Sequence, residues 1–283
     1  MKRILAAAVL AGLAIAQGVT SASADALAEV REKGVLRVAV YKDFPPYSYT
    51  DAQGRMTGLD VEIGKALAGK MGVAMALVPI PASDESMEDD LRNAVWKGHY
   101  MGWGKADVML HVPVNADFQK RVDKVALFAP YYRELVAVAY DKTKIPDLNS
   151  LDVFRTEKVG VEMRTVADQY LITTSNHAYI NNVRHFRTVD AACEAFKAGE
   201  VPAFAAQRGQ LEHCLGPDRS RFVIGTVPAP DVRVFEWNVG MAVKADETGL
   251  RDALGEAMEA LRKDGSLQKI FDRQAMSLNT PAN

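Results

Sequence analysis

Val35-Leu36-Arg37-Val38-Ala39-Val40, the turn-rich segment Asp43-Phe44-Pro45-Pro46-Tyr47 and a helical pattern from Asp60 to Lys70 form the stretch that decides the fold. The first run is β-rich and ends where two prolines interrupt it. A turn at Asp51-Ala52-Gln53-Gly54 follows. Val61, Ile63, Leu67 and Ala68 then recur near helical spacing until Met71-Gly72. Outward from this unit the alternation continues. Met75 to Ile80 reads as a strand, Glu88 to Trp96 as a helix, and Ala106-Asp107-Val108-Met109-Leu110 as a third strand. After the apolar run Leu135 to Tyr140 and a loop from Lys142 to Asn149, the pattern restarts. Lys158 to Glu162 is a strand, and Thr165 caps a helix reaching Leu171. Ala203 to Ala206, a return run at Trp237 to Val243 and a helix from Gly249 to Lys263 complete it. Alternating β and α elements imply a mainly parallel sheet with helices on both faces. Two such lobes, with the chain returning to the first, leave a cleft into which strand ends and helix N-termini point.

The 283 residues carry a net charge of −2, with 48% hydrophobic and 25% charged side chains. This describes an ordinary globular chain, without the basic field of a nucleic-acid binder. Lys2 and Arg3, the apolar run Ile4 to Ala16 and the small-residue site Ala22-Ser23-Ala24 have the layout of a bacterial secretory signal peptide. The run falls short of the roughly 20 residues a spanning helix needs. The mature protein is expected to begin near Asp25 as a soluble periplasmic protein with net charge −4. Cys193 and Cys214 form an even pair, which in an oxidising compartment reads first as a disulfide, with two buried thiols as the alternative.

Several ordered motifs resemble the type II periplasmic solute-binding proteins, the amino-acid class of ABC-transporter receptors. They are Leu36-Arg37-Val38-Ala39-Val40, Phe44-Pro45-Pro46-Tyr47-Ser48-Tyr49, Gly58-Leu59-Asp60-Val61-Glu62-Ile63, Ala106-Asp107-Val108-Met109, Leu127-Phe128-Ala129-Pro130-Tyr131-Tyr132, Val159-Gly160-Val161 with Thr165, and Gly240-Met241-Ala242-Val243-Lys244-Ala245-Asp246. The resemblance implies a two-lobed α/β fold with lobe 1 at 25–138 and 226–283, lobe 2 at 139–225, and hinge closure on a small molecule. It places Arg121, nine residues before Pro130, as the clamp of a ligand carboxylate. Tyr47 is expected to cover the ligand, and Thr165 to offer a hydroxyl at a helix N-terminus. Arg164 adds a positive charge beside it. For Arg121, Arg164 and Tyr47, outward-facing or packing roles are the alternatives.

Departures from the family pattern bear on the ligand. The position that holds an amino acid's α-ammonium carries Gln207, followed by Arg208. The segment beginning at His111 lacks the usual Ser/Thr-rich strand, and His111 itself is counted with the ligand-binding residues. Arg121, Arg164 and Arg208 together would suit a small anionic ligand. Trp103, in the glycine-rich connection from Trp96 to Gly104, and Trp237 would suit a flat one, with lobe packing as the alternative. Asp90-Leu91-Arg92-Asn93 and Asp107 to Val114 resemble a subgroup associated with pyrroloquinoline-quinone (PQQ) dehydrogenases of methylotrophic bacteria. The main expectation is therefore a monomeric receptor for PQQ as ligand, needing no cofactor and served by an ABC permease or an outer transporter. A periplasmic partner or maturation factor of a PQQ-dependent methanol dehydrogenase is one alternative, and an amino-acid receptor another. No nucleophile elbow, phosphate loop or zinc motif points to an enzyme.

Overall fold

Apolar residues on both sides of the first strand require cover on both sheet faces, and the helices supply it. The computed structural model describes residues 25–82, 86–99, 102, 104–216, 220–226 and 235–282. The expected signal peptide, 1–24, lies outside them. In the first lobe α1 (Ala26–Lys33) is capped by Asp25 and closed by Gly34 in the left-handed conformation. β1 (Val35–Tyr41) is followed by the short hairpin β2 (Tyr49–Thr50) and β3 (Met56–Thr57), then α2 (Leu59–Lys70) and β4 (Ala74–Ile80). α3 (Met87–Leu91) continues as a π-turn segment over Arg92–Trp96, where sequence periodicity suggests one regular helix. β5 (Val108–Pro113), α4 (Ala116–Arg121) and β6 (Val125–Asp141) follow. The second lobe contains β7 (Val159–Glu162), α5 (Val166–His177), β8 (Val183–Phe186), α6 (Val189–Lys197), β9 (Ala203–Gln207), α7 (Arg208–Leu215) and β10 (Phe222–Gly225). The chain returns through β11 (Glu236–Lys244), α8 (Thr248–Lys263) and α9 (Ser266–Arg273).

The strands run in the order β4-β1-β5-β11-β6-β9-β7-β8, with β10 pairing β6. β4, β1 and β5 are parallel, as are β9, β7 and β8. Between these halves, β11 and β6 are antiparallel to each other. β6 pairs with β11 up to Leu135 and with β9 from Val136, so one strand carries the sheet from lobe to lobe.

Pro130 sits inside β6 although it cannot donate to a ladder. The register slips there: Ala129 has φ 45°, and pairing shifts between Val239 and Met241. Opposite the bulge, a Cβ on Gly240 would lie 2.6 Å from the Phe128 carbonyl, so only glycine fits.

Each lobe has a core on both sheet faces. Leu36, Ile63, Leu67, Leu254 and Phe271 anchor one in the first lobe, and Phe154, Val159 and Leu171 one in the second. Trp237 packs against both of these cores and therefore lies at the hinge. Cys193 and Cys214 are bonded (Cα–Cα 5.9 Å) and tie α6 to α7.

Candidate functional site between the lobes

The loop after β1 presents Phe44 to the cleft. Its backbone is held on the N-terminus of α2, where Leu59 and Asp60 donate N–H bonds to the carbonyls of Pro46 (3.1 Å) and Tyr47 (2.7 Å). Gly58 makes this approach feasible, since a Cβ there would meet the Tyr47 carbonyl at 2.5 Å. From the opposite lobe come Glu162 at the end of β7, Thr165 and Thr188 as N-caps of α5 and α6, and Gln207 at the start of α7. Together they wall two chambers that share Phe44, Glu162 and Gln210. The inner one, about 60 Å³, also touches Val136, Thr165, Ala205 and Gln207. The outer one, about 270 Å³, is bounded by Asp43, Tyr49, Thr188 and Asp190 as well.

The electrostatics of this cleft are acidic. Burial raises the Glu162 carboxyl above its ordinary value, and the Asp190 charge pushes it further, against a hydrogen bond from the Val189 N–H. Asp43 is offset by Lys42 at 3.6 Å. No Lys, Arg or His is among the described residues lining either chamber. The Thr165 hydroxyl is engaged locally: it accepts the Asp168 N–H (3.2 Å) and donates to the Glu162 carbonyl (2.8 Å).

The expected anionic site is not assembled. Arg121 is the last residue of α4, about 9 Å along the helix axis from the Asn115 cap. Its side chain is 64% exposed, pairs with Glu88 at 3.1 Å and stacks on Phe118. It lines a surface groove with Trp96 and Lys124, apart from the cleft. Arg208 points to buried Glu212 (2.9 Å), and Arg164, in a left-handed turn, lies outside the cleft lining. Thr165 and Gln207 do line it. Trp237 is at the hinge, and Trp103 falls outside the described residues.

Tyr47 and His111 are likewise displaced from their expected roles. Tyr47 is fully buried and donates its hydroxyl to Glu134, while its ring packs against Phe44 (4.7 Å) and His111 (4.3 Å). His111 Nδ1 faces Asp60 at 3.2 Å, behind Phe44. Phe44, three residues before Tyr47, reaches both chambers, and Tyr49 borders the outer one.

A polar joint next to the cleft holds the lobes together. Glu134, on β6, accepts hydrogen bonds from Tyr47 of the first lobe, from the Leu135 N–H (2.9 Å) and from the Gly209 N–H of the second lobe. Burial raises its carboxyl to about 7, more than these donors lower it. The C-terminal tail adds a strap. Ser277 bonds Glu212 through its N–H (2.7 Å) and hydroxyl (2.8 Å), and the Asn279 carbonyl accepts the Arg133 N–H (2.9 Å).

Comparison with known proteins agrees with this architecture. Residues 36–97 match the model for bacterial extracellular solute-binding proteins, family 3. The chain is 22% identical over 272 residues to the L-cystine-binding protein TcyJ of Escherichia coli K12, covering 95% of this chain and 92% of that one. It is 26% identical over 240 residues to an L-arginine-binding protein of Pseudomonas aeruginosa, covering 84% and 86%. Among solved structures, an ancestral cationic amino acid solute-binding protein superposes with a TM-score of 0.69 at 20% identity, over 88% of this chain and 99% of that one. The chain has the two-lobed α/β fold of the type II periplasmic solute-binding proteins.

Proposed function

We propose that this protein is an exported solute receptor that captures a small organic cation, a basic amino acid or its amine analogue, between its lobes and presents it to an ABC permease. The acidic cleft carries this reading: Glu162, Asp190 and Asp43 face a chamber of about 270 Å³ beside the aromatic rings of Phe44 and Tyr49. A positive group entering it gains charge-assisted hydrogen bonds, and an aromatic face favours its alkyl or guanidinium portion. Relatives described as binding arginine, histidine or lysine, arginine and ornithine support the class. The three-arginine argument for an anionic quinone has no geometric counterpart, and no relative cited here is named for PQQ. Periplasmic placement rests on the N-terminal layout of residues 1–24 and on the family-model match. Among the described residues no helix is long and apolar enough to cross a membrane.

The test is a fluorescence titration, with Trp237 at the hinge reporting closure. Arginine, lysine, ornithine and histidine would be compared with their decarboxylated counterparts, with glutamate and with PQQ. Saturable change with basic compounds and none with glutamate or PQQ is expected. Binding confined to glutamate or PQQ would refute the reading.

A further inference from the structure

Three helices of the second lobe, α5, α6 and α7, begin at the cleft. Unpaired N–H groups at such ends are where a bound carboxylate is ordinarily received. In this chain the protein's own side chains take up part of that capacity at each helix. At α5, the Thr165 hydroxyl takes the Asp168 N–H at 3.2 Å, and the Asp168 carboxylate takes the Arg164 N–H just before the helix at 2.7 Å. At α6, Glu162 accepts the Val189 N–H, and Asp190 lies in the first turn. At α7, the fully buried Glu134 accepts the Gly209 N–H, while Gln210 takes the Gln207 N–H at 3.2 Å.

What remains for a ligand is neutral or negative. Gln207, on the wall of the inner chamber, is a neutral amide engaged with Gln210 in the capping box of α7. Gln210, 7% exposed, uses its Oε1 on the backbone and offers only a neutral amide NH2 to the cavity. Lys42 lies 3.6 Å from Asp43. A ligand carboxylate would enter a chamber lined by Asp43, Glu162 and Asp190 and by no guanidinium, and neutral amides do not offset that repulsion.

We propose that the cleft takes an organic cation that carries no carboxylate, such as an alkylamine, diamine or alkylguanidine, because Glu134 and Glu162 hold helix-end N–H groups a ligand carboxylate would use and the chamber wall is acidic. The inference rests on the receptor reading above and narrows it. It separates compounds that differ only in the carboxylate.

The experiment is calorimetric titration of the mature protein with matched pairs: arginine and agmatine, lysine and cadaverine, histidine and histamine. At least one decarboxylated member should bind, at least tenfold tighter than its amino acid. Glu162→Gln should weaken that binding at least tenfold, while an unaltered melting profile shows that the lobe remains folded. Arginine, lysine or histidine binding as tightly as its counterpart would overturn this proposal and leave the receptor reading standing. Failure of every member of every pair to bind would overturn both.

Discussion

Replacing Glu134 by Gln should remove most of a pH dependence that this single side chain imposes on stability. Glu134 has no exposed surface, and its carboxyl is raised to about 7 from an ordinary 4.5, chiefly by burial. A carboxyl raised in the folded state binds its proton more tightly there than in the unfolded chain. Its stabilisation is therefore complete below about pH 4.5 and is lost as pH climbs through about 7. The interval between the two values corresponds to on the order of 3 kcal/mol. Glutamine keeps one acceptor oxygen for the Leu135 N–H, puts an NH2 beside the Tyr47 hydroxyl, which can accept from it, and has no proton to lose. Urea unfolding of both proteins from pH 5 to 8 isolates the effect, since Asp60, His111, Tyr131 and Tyr132 are common to both. Relative to wild type, the variant should gain stability with rising pH, by about 3 kcal/mol across the range. Parallel pH profiles would show that Glu134 does not titrate as argued, and the reasoning about the joint would fail.

Other perturbations test neighbouring parts of the structure. Gly209→Ala puts a Cβ 2.6 Å from the Tyr47 hydroxyl and 2.5 Å from the Met276 methyl, so the lobes must part slightly. A loss of about 1–3 kcal/mol and a larger radius by small-angle scattering are expected, and a wild-type radius and melting curve would argue against this contact. Reducing the Cys193–Cys214 bond, or replacing both residues by Ala, should destabilise the second lobe by about 3 kcal/mol in the chain-entropy model. An unchanged unfolding midpoint after verified reduction would contradict it. Arg121→Ala should leave ligand affinity untouched and stability within about 0.5 kcal/mol, because its pair with Glu88 is solvent-exposed. A tenfold fall in affinity would return Arg121 to the site.

The fold was legible where local pattern and layer packing agree. β1, α2, β7 and the Thr165 cap follow directly from β-rich runs, helical spacing and cap chemistry. The midsection was harder, because β6 runs through Pro130, and only the bulge at Ala129 opposite Gly240 permits that. This bulge also undermines counting back from Pro130 to Arg121, since residue spacing there does not fix where a side chain emerges. The neutralisation of Arg208 could have been read locally, as Glu212 stands four residues on along the same helix face. The Arg121–Glu88 pair, 33 residues apart, had no local signal. Nor did Asp190, which reaches the cleft through the packing of α6. Phe44 stood inside the quoted motif. Its preference over Tyr47 is set by the turn in which the Tyr47 N–H bonds the Phe44 carbonyl (2.9 Å), sending the two rings to different surroundings.

The most direct test of the cationic cleft is the affinity of Glu162→Gln for agmatine, measured beside wild type by calorimetry at one pH and salt concentration. A charge-assisted pair in a partly desolvated cleft contributes about 1.5–3 kcal/mol, so the variant should bind roughly ten- to a hundredfold more weakly. Equal affinity in the two proteins would contradict the claim that the acidic wall of this cleft recognises the ligand.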